Sequence, residues 1–502
     1  MLKFQRFIVL FVFKASSLTA LSVACLFATQ PGFAGETPDV LLQGYIKAFN
    51  TDADDAFGYT VAIDNDTLAV GAISEDGSAS GDSDDNSLSG SGAVYVFTRG
   101  SSKGSQDWIP SAYLKGSNTA MGDQFGRQVA ISGDLLAVSA IFEDSASADD
   151  PDDDSANASG AVYVFRRDEP GVWVEEAFLK ASNAEEFDRF GGSIALSGDV
   201  LVVGAAFENS SATGVNQDES DNAAPAAGAA YVFRRDEGGN WFQQAYLKAS
   251  NAEAGDQFGV SVSVSTTTVV IGAMGEDSSA GGVDGSEDNN DLPNSGAAYV
   301  FKQDGSGNWF QAAYLKAFNP QASSEFSAAV AVSDQTILIG AARDIRNGPG
   351  GSAYLFSENA GGQWLEQVQL KASNNDAFDG FGVSVALSGD RALVGANLED
   401  GGNGNPLDDS APNSGAGYLF ERQPGGLWIE TAYLKSSSPD SEDQFGRAVA
   451  LSGSTYALGV PEEDSAARMI DGDDSNNEAD RAGAAFVFIE INDRLFSSRF
   501  EE

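Results

Sequence analysis

One phrase recurs seven times along the chain: an aromatic residue (once Gln), then Leu or Ile, Lys and a small residue. It reads Tyr45-Ile46-Lys47-Ala48, Tyr113-Leu114-Lys115-Gly116, Phe178-Leu179-Lys180-Ala181, Tyr246-Leu247-Lys248-Ala249, Tyr314-Leu315-Lys316-Ala317, Gln369-Leu370-Lys371-Ala372 and Tyr433-Leu434-Lys435-Ser436. The lysines stand 68, 65, 68, 68, 55 and 64 residues apart. Such a period constrains the fold strongly, because each repeat is a supersecondary unit that buries its apolar face only against its neighbours.

Each repeat carries four β-type runs. In one unit they are Phe258-Gly259-Val260-Ser261-Val262-Ser263-Val264, Thr268-Val269-Val270-Ile271-Gly272-Ala273, Gly296-Ala297-Ala298-Tyr299-Val300-Phe301 and Trp309-Phe310-Gln311-Ala312-Ala313-Tyr314-Leu315-Lys316. The second is continuously apolar, as in a strand buried on both faces. No stretch sustains a 3.6-residue period, so no long helix is expected. A β-solenoid and a β-propeller both repeat in this way. Solenoid coils are much shorter than these units, so the reading is an all-β, seven-bladed propeller with four antiparallel strands per blade.

The ends support closure. Residues 40–48 form a fourth strand with no preceding three, while the last repeat supplies residues 445–451, 456–460 and 483–488 but no following Trp strand. Pairing the two ends completes one blade and leaves no open edge. It also explains why Trp108, Trp173, Trp241, Trp309, Trp364 and Trp428 serve seven repeats. Their repetition at one strand position reads as blade packing rather than a sugar-stacking platform. The lysines read as structural, with stems on apolar surface and charges meeting carboxylates.

The units resemble the FG-GAP repeat, the blade of the integrin α-chain N-terminal propeller. The residues are Phe57-Gly58, Phe125-Gly126, Phe190-Gly191, Phe258-Gly259, Phe381-Gly382 and Phe445-Gly446, with Phe326-Ser327 in the fifth repeat. Each is followed by Gly-Ala or a near variant: Gly71-Ala72, Ser139-Ala140, Gly204-Ala205, Gly272-Ala273, Gly340-Ala341, Gly395-Ala396 and Gly459-Val460. The resemblance implies a propeller over residues 35–490 and, by analogy alone, a binding or adhesion role. One departure stands out. Integrin-type repeats often carry an Asp-rich calcium loop between the first two strands. Here that connection is a short turn, as in Ser132-Gly133-Asp134 and Ser388-Gly389-Asp390.

The acid lies elsewhere. Connections between second and third strands, at 75–91, 143–159, 208–227, 276–295, 399–414 and 462–482, are acidic. Most open on a pair: Glu75-Asp76, Glu143-Asp144, Glu276-Asp277, Glu399-Asp400 and Glu463-Asp464. Second clusters follow at Asp84-Asp85, Asp152-Asp153-Asp154, Asp408-Asp409 and Asp473-Asp474. Asp55, Asp123, Asp188, Asp256, Asp379 and Asp443, just before the Phe-Gly pairs, share that face and read as caps of loop N–H groups. Ca²⁺ takes several hard oxygen ligands, so these pairs and clusters are candidate Ca²⁺ ligands; a solvated acidic rim is the alternative. The fifth loop, 343–350, is short and basic, and its Arg343, Asp344 and Arg346 are a candidate partner contact.

Residues 1–34 read as a signal peptide. Lys3 and Arg6 precede an apolar run at 7–13, Lys14 interrupts it, 18–27 resumes it, and Pro31-Gly32-Phe33-Ala34 ends it. Neither apolar half reaches the ~20 residues of a membrane span. Lipoprotein anchoring through Cys25 ranks second, and residues 491–502 are a tail. The mature chain then lacks cysteine, and the whole chain lacks histidine, which removes thiol chemistry and the commonest general base. The 74 acidic against 28 basic residues give a net charge of −46, which disfavours nucleic acid. The expectation is an exported, monomeric, non-catalytic disc, in the periplasm, on the cell surface or secreted, that docks a protein or polysaccharide. A lectin-like propeller with sugar sites between blades and a carboxylate-based glycan enzyme are the alternatives.

Overall fold

Alternating and continuous apolar runs, most of them bounded by Gly, Asn, Asp, Ser or Thr, have one economical solution: short antiparallel strands joined by tight turns. The computed structural model describes residues 39–491, except 79–81, 101–106, 347 and 403–404. The signal peptide, Cys25 and the tail beyond Ile491 lie outside the described residues. Seven four-stranded antiparallel sheets are arranged in a ring, and each sheet is one blade. The first strands of successive blades pack against one another around the axis, and the first strand of blade seven packs against that of blade one. Strand Asp39–Ile46 pairs with Ala484–Ile491 as the outer strand of the last blade, so the ring closes as the chain ends indicate.

Blade four shows the register. Thr268 pairs with Lys302 and Ala273 with Ala297 between second and third strands. Ala298 pairs with Leu315 between third and fourth, with a bulge at Val300/Phe301. The same bulge recurs at Val232/Phe233 and Leu419/Phe420. A bulge adds twist, and it does so at the outer part of every blade, where the sheets must fan apart.

The core is divided among the spaces between blades. Phe258, Tyr299, Phe301 and Trp309 of blade four pack on Val202, Val232 and Ala245 of blade three. The Phe258 ring meets Tyr299 and Phe301 edge-on at 5.3 and 6.1 Å between centroids. Trp108, Trp309, Trp364 and Trp428 are buried, and the Trp309 indole N–H donates to Gln244 of the preceding blade at 3.1 Å.

The Phe-Gly pairs fall differently from the sequence reading, which put them all inside the first strand. In five blades the strand begins beyond them, at Val129, Ser193, Ala329, Ser384 and Ala448. The glycines adopt φ near +90°, which takes them out of the ladder and turns their carbonyls toward the neighbouring blade. There the carbonyl meets the glycine of a Gly-Ala pair in six of the seven contacts, and Ser139 takes that place against Gly191. A Cβ on Gly204 would stand 2.0 Å from the Gly259 oxygen, and one on Gly340 2.0 Å from the Gly382 oxygen. At ring closure Gly459 faces the Gly58 oxygen in the same way. The two glycines of the repeat are therefore one blade-to-blade contact read in two places.

Gly340→Ala should then force neighbouring backbones apart. We expect a loss of about 3 kcal/mol in denaturant unfolding. The same change at Gly305, a turn glycine with open space around it, should cost well under 1 kcal/mol.

Candidate functional site

The connections from second to third strand and from fourth to next first strand share one face, and that face carries the acid. Its organisation starts from a buried ion pair repeated around the ring. Lys180 pairs with Glu143, Lys248 with Glu208, Lys435 with Glu399 and Lys47 with Glu463, each at 2.8 Å, and Lys316 pairs with Glu276. The lysine comes from the recurring phrase and the glutamate from the acidic loop of the same blade. In the last pair the two residues come from opposite ends of the chain. Both side chains are almost fully buried, Lys316 to 0% and Glu276 to 2% exposure. Burial pulls the ammonium pKa of Lys316 down, and its glutamate opposes that.

Further groups complete each pair. The tyrosine of the phrase donates to the same glutamate, as Tyr246 does to Glu208 and Tyr433 to Glu399. An asparagine from the loop entering the blade also donates, as Asn183 does to Glu208 and Asn374 to Glu399. That asparagine in turn accepts from the third-strand tyrosine, Tyr231 and Tyr418 respectively. Four pieces of chain are thus tied at one buried carboxylate. Blade one varies the theme. Glu75 accepts from Asn50, Tyr95 and Tyr113, while Lys115 donates to Ser91 and to the Gly92 carbonyl.

The second acid of each pair holds the loop's far end. Asp76, Asp144, Asp277, Asp400 and Asp464 accept from the backbone N–H of Gly90, Ala158, Asn294, Asn413 and Arg481. The aspartates before Phe-Gly behave as expected caps. Asp55, Asp123, Asp188, Asp256, Asp379 and Asp443 each accept from the N–H three residues earlier. Burial raises their pKa, with nearby loop carboxylates adding to it and the N–H bond opposing it. Asp55 and Asp443 reach about 8, Asp123, Asp188 and Asp256 about 7, and Asp379 about 6.

The outer clusters are more open. Asp85 bonds Ser78 and the Ser87 N–H, Asp408 bonds Ser410, Asp473 bonds Ser475, and Asp474 bonds Ser437 and Ser438. Asp84, Asp152, Asp154 and Asp409 are exposed. Among the described residues no group of three acidic side chains is gathered as a metal ion's ligands would be.

The fifth loop rebuilds the network with its own groups. Asp344 is fully buried and accepts from Arg346 and Tyr354, and Gln369 replaces the phrase tyrosine. Arg343 is mostly exposed and pairs with Glu325 at 2.7 Å. Two of the three residues read as a partner contact, Asp344 and Arg346, therefore hold the loop itself.

Sequence reading missed two sets of residues. The asparagines were legible as a repeated Ser-Asn after the lysine phrase: Ser117-Asn118, Ser182-Asn183, Ser250-Asn251 and Ser373-Asn374. The other set is Phe187 and Phe378. Each occupies the position just before the capping aspartate, where other repeats place Asp54, Gly122, Gly255, Ser323 or Glu442. Both have left-handed backbones, φ 69° and 75°, and both rings are exposed, Phe378 to 83%. Phe318 and Ile345 are also exposed on this face. The fifth loop joins their neighbourhoods, since Arg346 donates to the Asn319 carbonyl and Gly350 lies against Asn375 and Asp376.

Two outcomes follow from the buried charges. Lys316→Met strands Glu276 and should cost about 3–5 kcal/mol, and adding Glu276→Gln should recover part of it. The capping aspartates hold their protons more tightly folded than unfolded. Their stabilisation is full below the ordinary aspartate range and is lost as pH rises to about 8. The melting midpoint should fall between pH 5 and 8, and Asp256→Asn should make that fall shallower.

The geometry agrees with the sequence comparisons. No curated protein matches the chain significantly. The FG-GAP repeat matches at residues 42–97, 108–165, 173–233, 241–301, 309–356 and 364–420. Each matched unit starts on the fourth strand of one blade and ends on the third strand of the next. With these six repeats covering more than half of its length, the chain belongs to the FG-GAP repeat family.

Proposed function

We propose that this protein is an exported, non-catalytic binding propeller that docks a protein or polysaccharide on its loop face. One observation carries the reading: Phe187 and Phe378 hold large apolar rings in solvent on left-handed backbone. That conformation costs a bulky residue of order 1 kcal/mol or more, and an exposed ring returns nothing in the free protein. The ligand is where such a ring is repaid. The pinned loops suit binding, because a rigid scaffold positions recognition loops without ordering them on contact. Exposed Phe318 and Ile345 beside the short fifth loop extend the apolar area where the acidic rim is lowest.

A non-catalytic role fits the chemistry of the face. The buried glutamates are engaged by lysines and tyrosines, so they are not free to act as an acid and base pair. FG-GAP repeats are typical of extracellular proteins, and among the described residues no helix is long and apolar enough to cross a membrane. Calcium belongs to this reading through the outer clusters, where Asp84-Asp85, Asp152 to Asp154, Asp408-Asp409 and Asp473-Asp474 would exchange serine or water for the ion.

Phe378→Gly separates stability from function. It relieves the left-handed strain, so the melting midpoint should hold or rise, while binding to cell-envelope polysaccharide or protein by surface plasmon resonance should weaken about tenfold. Unchanged binding in Phe378→Gly and Phe187→Gly together would remove the docking assignment. A melt in EDTA, millimolar Ca²⁺ and millimolar Mg²⁺ tests the ion. A rise selective for Ca²⁺ makes the outer clusters metal sites, and equal curves leave them as solvated charge.

A further inference from the structure

The propeller axis holds a cavity of about 490 Å³ to which all seven blades contribute, six through their first strands and blade two through Arg127 and Gln128 just ahead of its first strand. Three arginines reach it: Arg127, Arg189 and Arg447. Arg127 and Arg447 occupy the position directly after Phe-Gly in blades two and seven, and Tyr59 occupies it in blade one between them. The Arg127 guanidinium lies 4.7 Å from the Tyr59 ring centre, and that of Arg447 lies 5.3 Å from it. Arg447 also donates to the Tyr59 hydroxyl at 3.2 Å. Arg189 stacks on Phe207 at 4.7 Å and on Phe142 at 5.4 Å, and its Nε is buried without a hydrogen-bond partner.

None of the three belongs to the ion pairs formed among the described residues. Arg99, Arg166, Arg167, Arg235, Arg343, Arg391 and Arg422 all find carboxylates. In a chain with 74 acidic residues, a carboxylate is seldom far away. Here aromatic rings take its place. Arg127 is disfavoured first by burial and then by the like charges of Arg447 and Arg189. Guanidinium groups that line one cavity with no carboxylate partner among the described residues, one of them with its Nε–H unsatisfied, are a ready receptor for a planar or tetrahedral oxyanion.

We propose that the mouth of this cavity binds one compact oxyanion, a carboxylate or phosphate group, between Arg127, Arg189 and Arg447. The volume suits a small ligand or one terminal group of a larger one. The surrounding acidic loops turn away extended polyanions, so the ligand carries its anionic group singly. This proposal does not rest on the docking reading above.

The test is isothermal titration of the intact mature protein with inorganic phosphate and with galacturonate, at constant chloride. Saturable one-to-one binding is expected, weakened about tenfold or more in Arg127→Gln/Arg447→Gln. Binding of phosphate alone identifies a phosphate ligand, and binding of galacturonate alone a carboxylate. If the double variant does not fold, the arginine Nε–H resonances of the wild-type protein decide, since they must shift on titration. No binding of either anion, or equal binding in wild type and folded variant, overturns the proposal.

Discussion

A lysine and a glutamate buried side by side are an unpromising way to stabilise a protein, because desolvating both charges costs as much as their attraction returns. This chain uses the pair in blade after blade. What it gains is position. Glu208 receives Lys248, Tyr246 and Asn183, which come from the fourth strand and from the loop entering the blade. Once that carboxylate is buried, every donor must arrive, or a charge is left without a partner. The long loops inherit their starting points from this demand. At the last blade the same pair, Lys47 with Glu463, also joins the two ends of the chain.

The second constraint is steric and lies nearer the axis. Seven sheets meet there at backbone distance, with Gly204 against the Gly259 carbonyl and Gly459 against that of Gly58. A side chain at either glycine would hold the blades apart. Ser139 is the exception, and it is bonded through its backbone N–H to the Gln128 carbonyl and through Oγ to the Gln128 N–H. The contacts at the rim and near the axis divide the work: glycines set how closely blades approach, and buried ion pairs set how the loops leave them.

The loop face that results is not uniform. Its acid is partly buried, held in pairs and caps, and partly at outer clusters that bond loop serines. Against that background the apolar rings of Phe187, Phe318 and Phe378, and the guanidinia at the axis that have no carboxylate partner among the described residues, are exceptions to the repeat. Repeated residues answer to the fold, and residues found in one or two blades are available for recognition.

The repeat count, the four strands per blade and the ring closure were legible in the sequence because they follow from periodicity, which is a local signal. The Lys phrase and the Glu-Asp pairs were visible too, but as separate patterns. Joining Lys316 to Glu276 across 40 residues required the third dimension, and so did seeing that most of these glutamates face a lysine. The Phe-Gly pairs looked like strand because composition does not report a φ of +90°. Arg127, Arg189 and Arg447 are 62 and 258 residues apart in sequence order, and no spacing rule connects them. They line one cavity because seven blades converge on one axis. Convergence is a property of the closed ring, and no single repeat contains it.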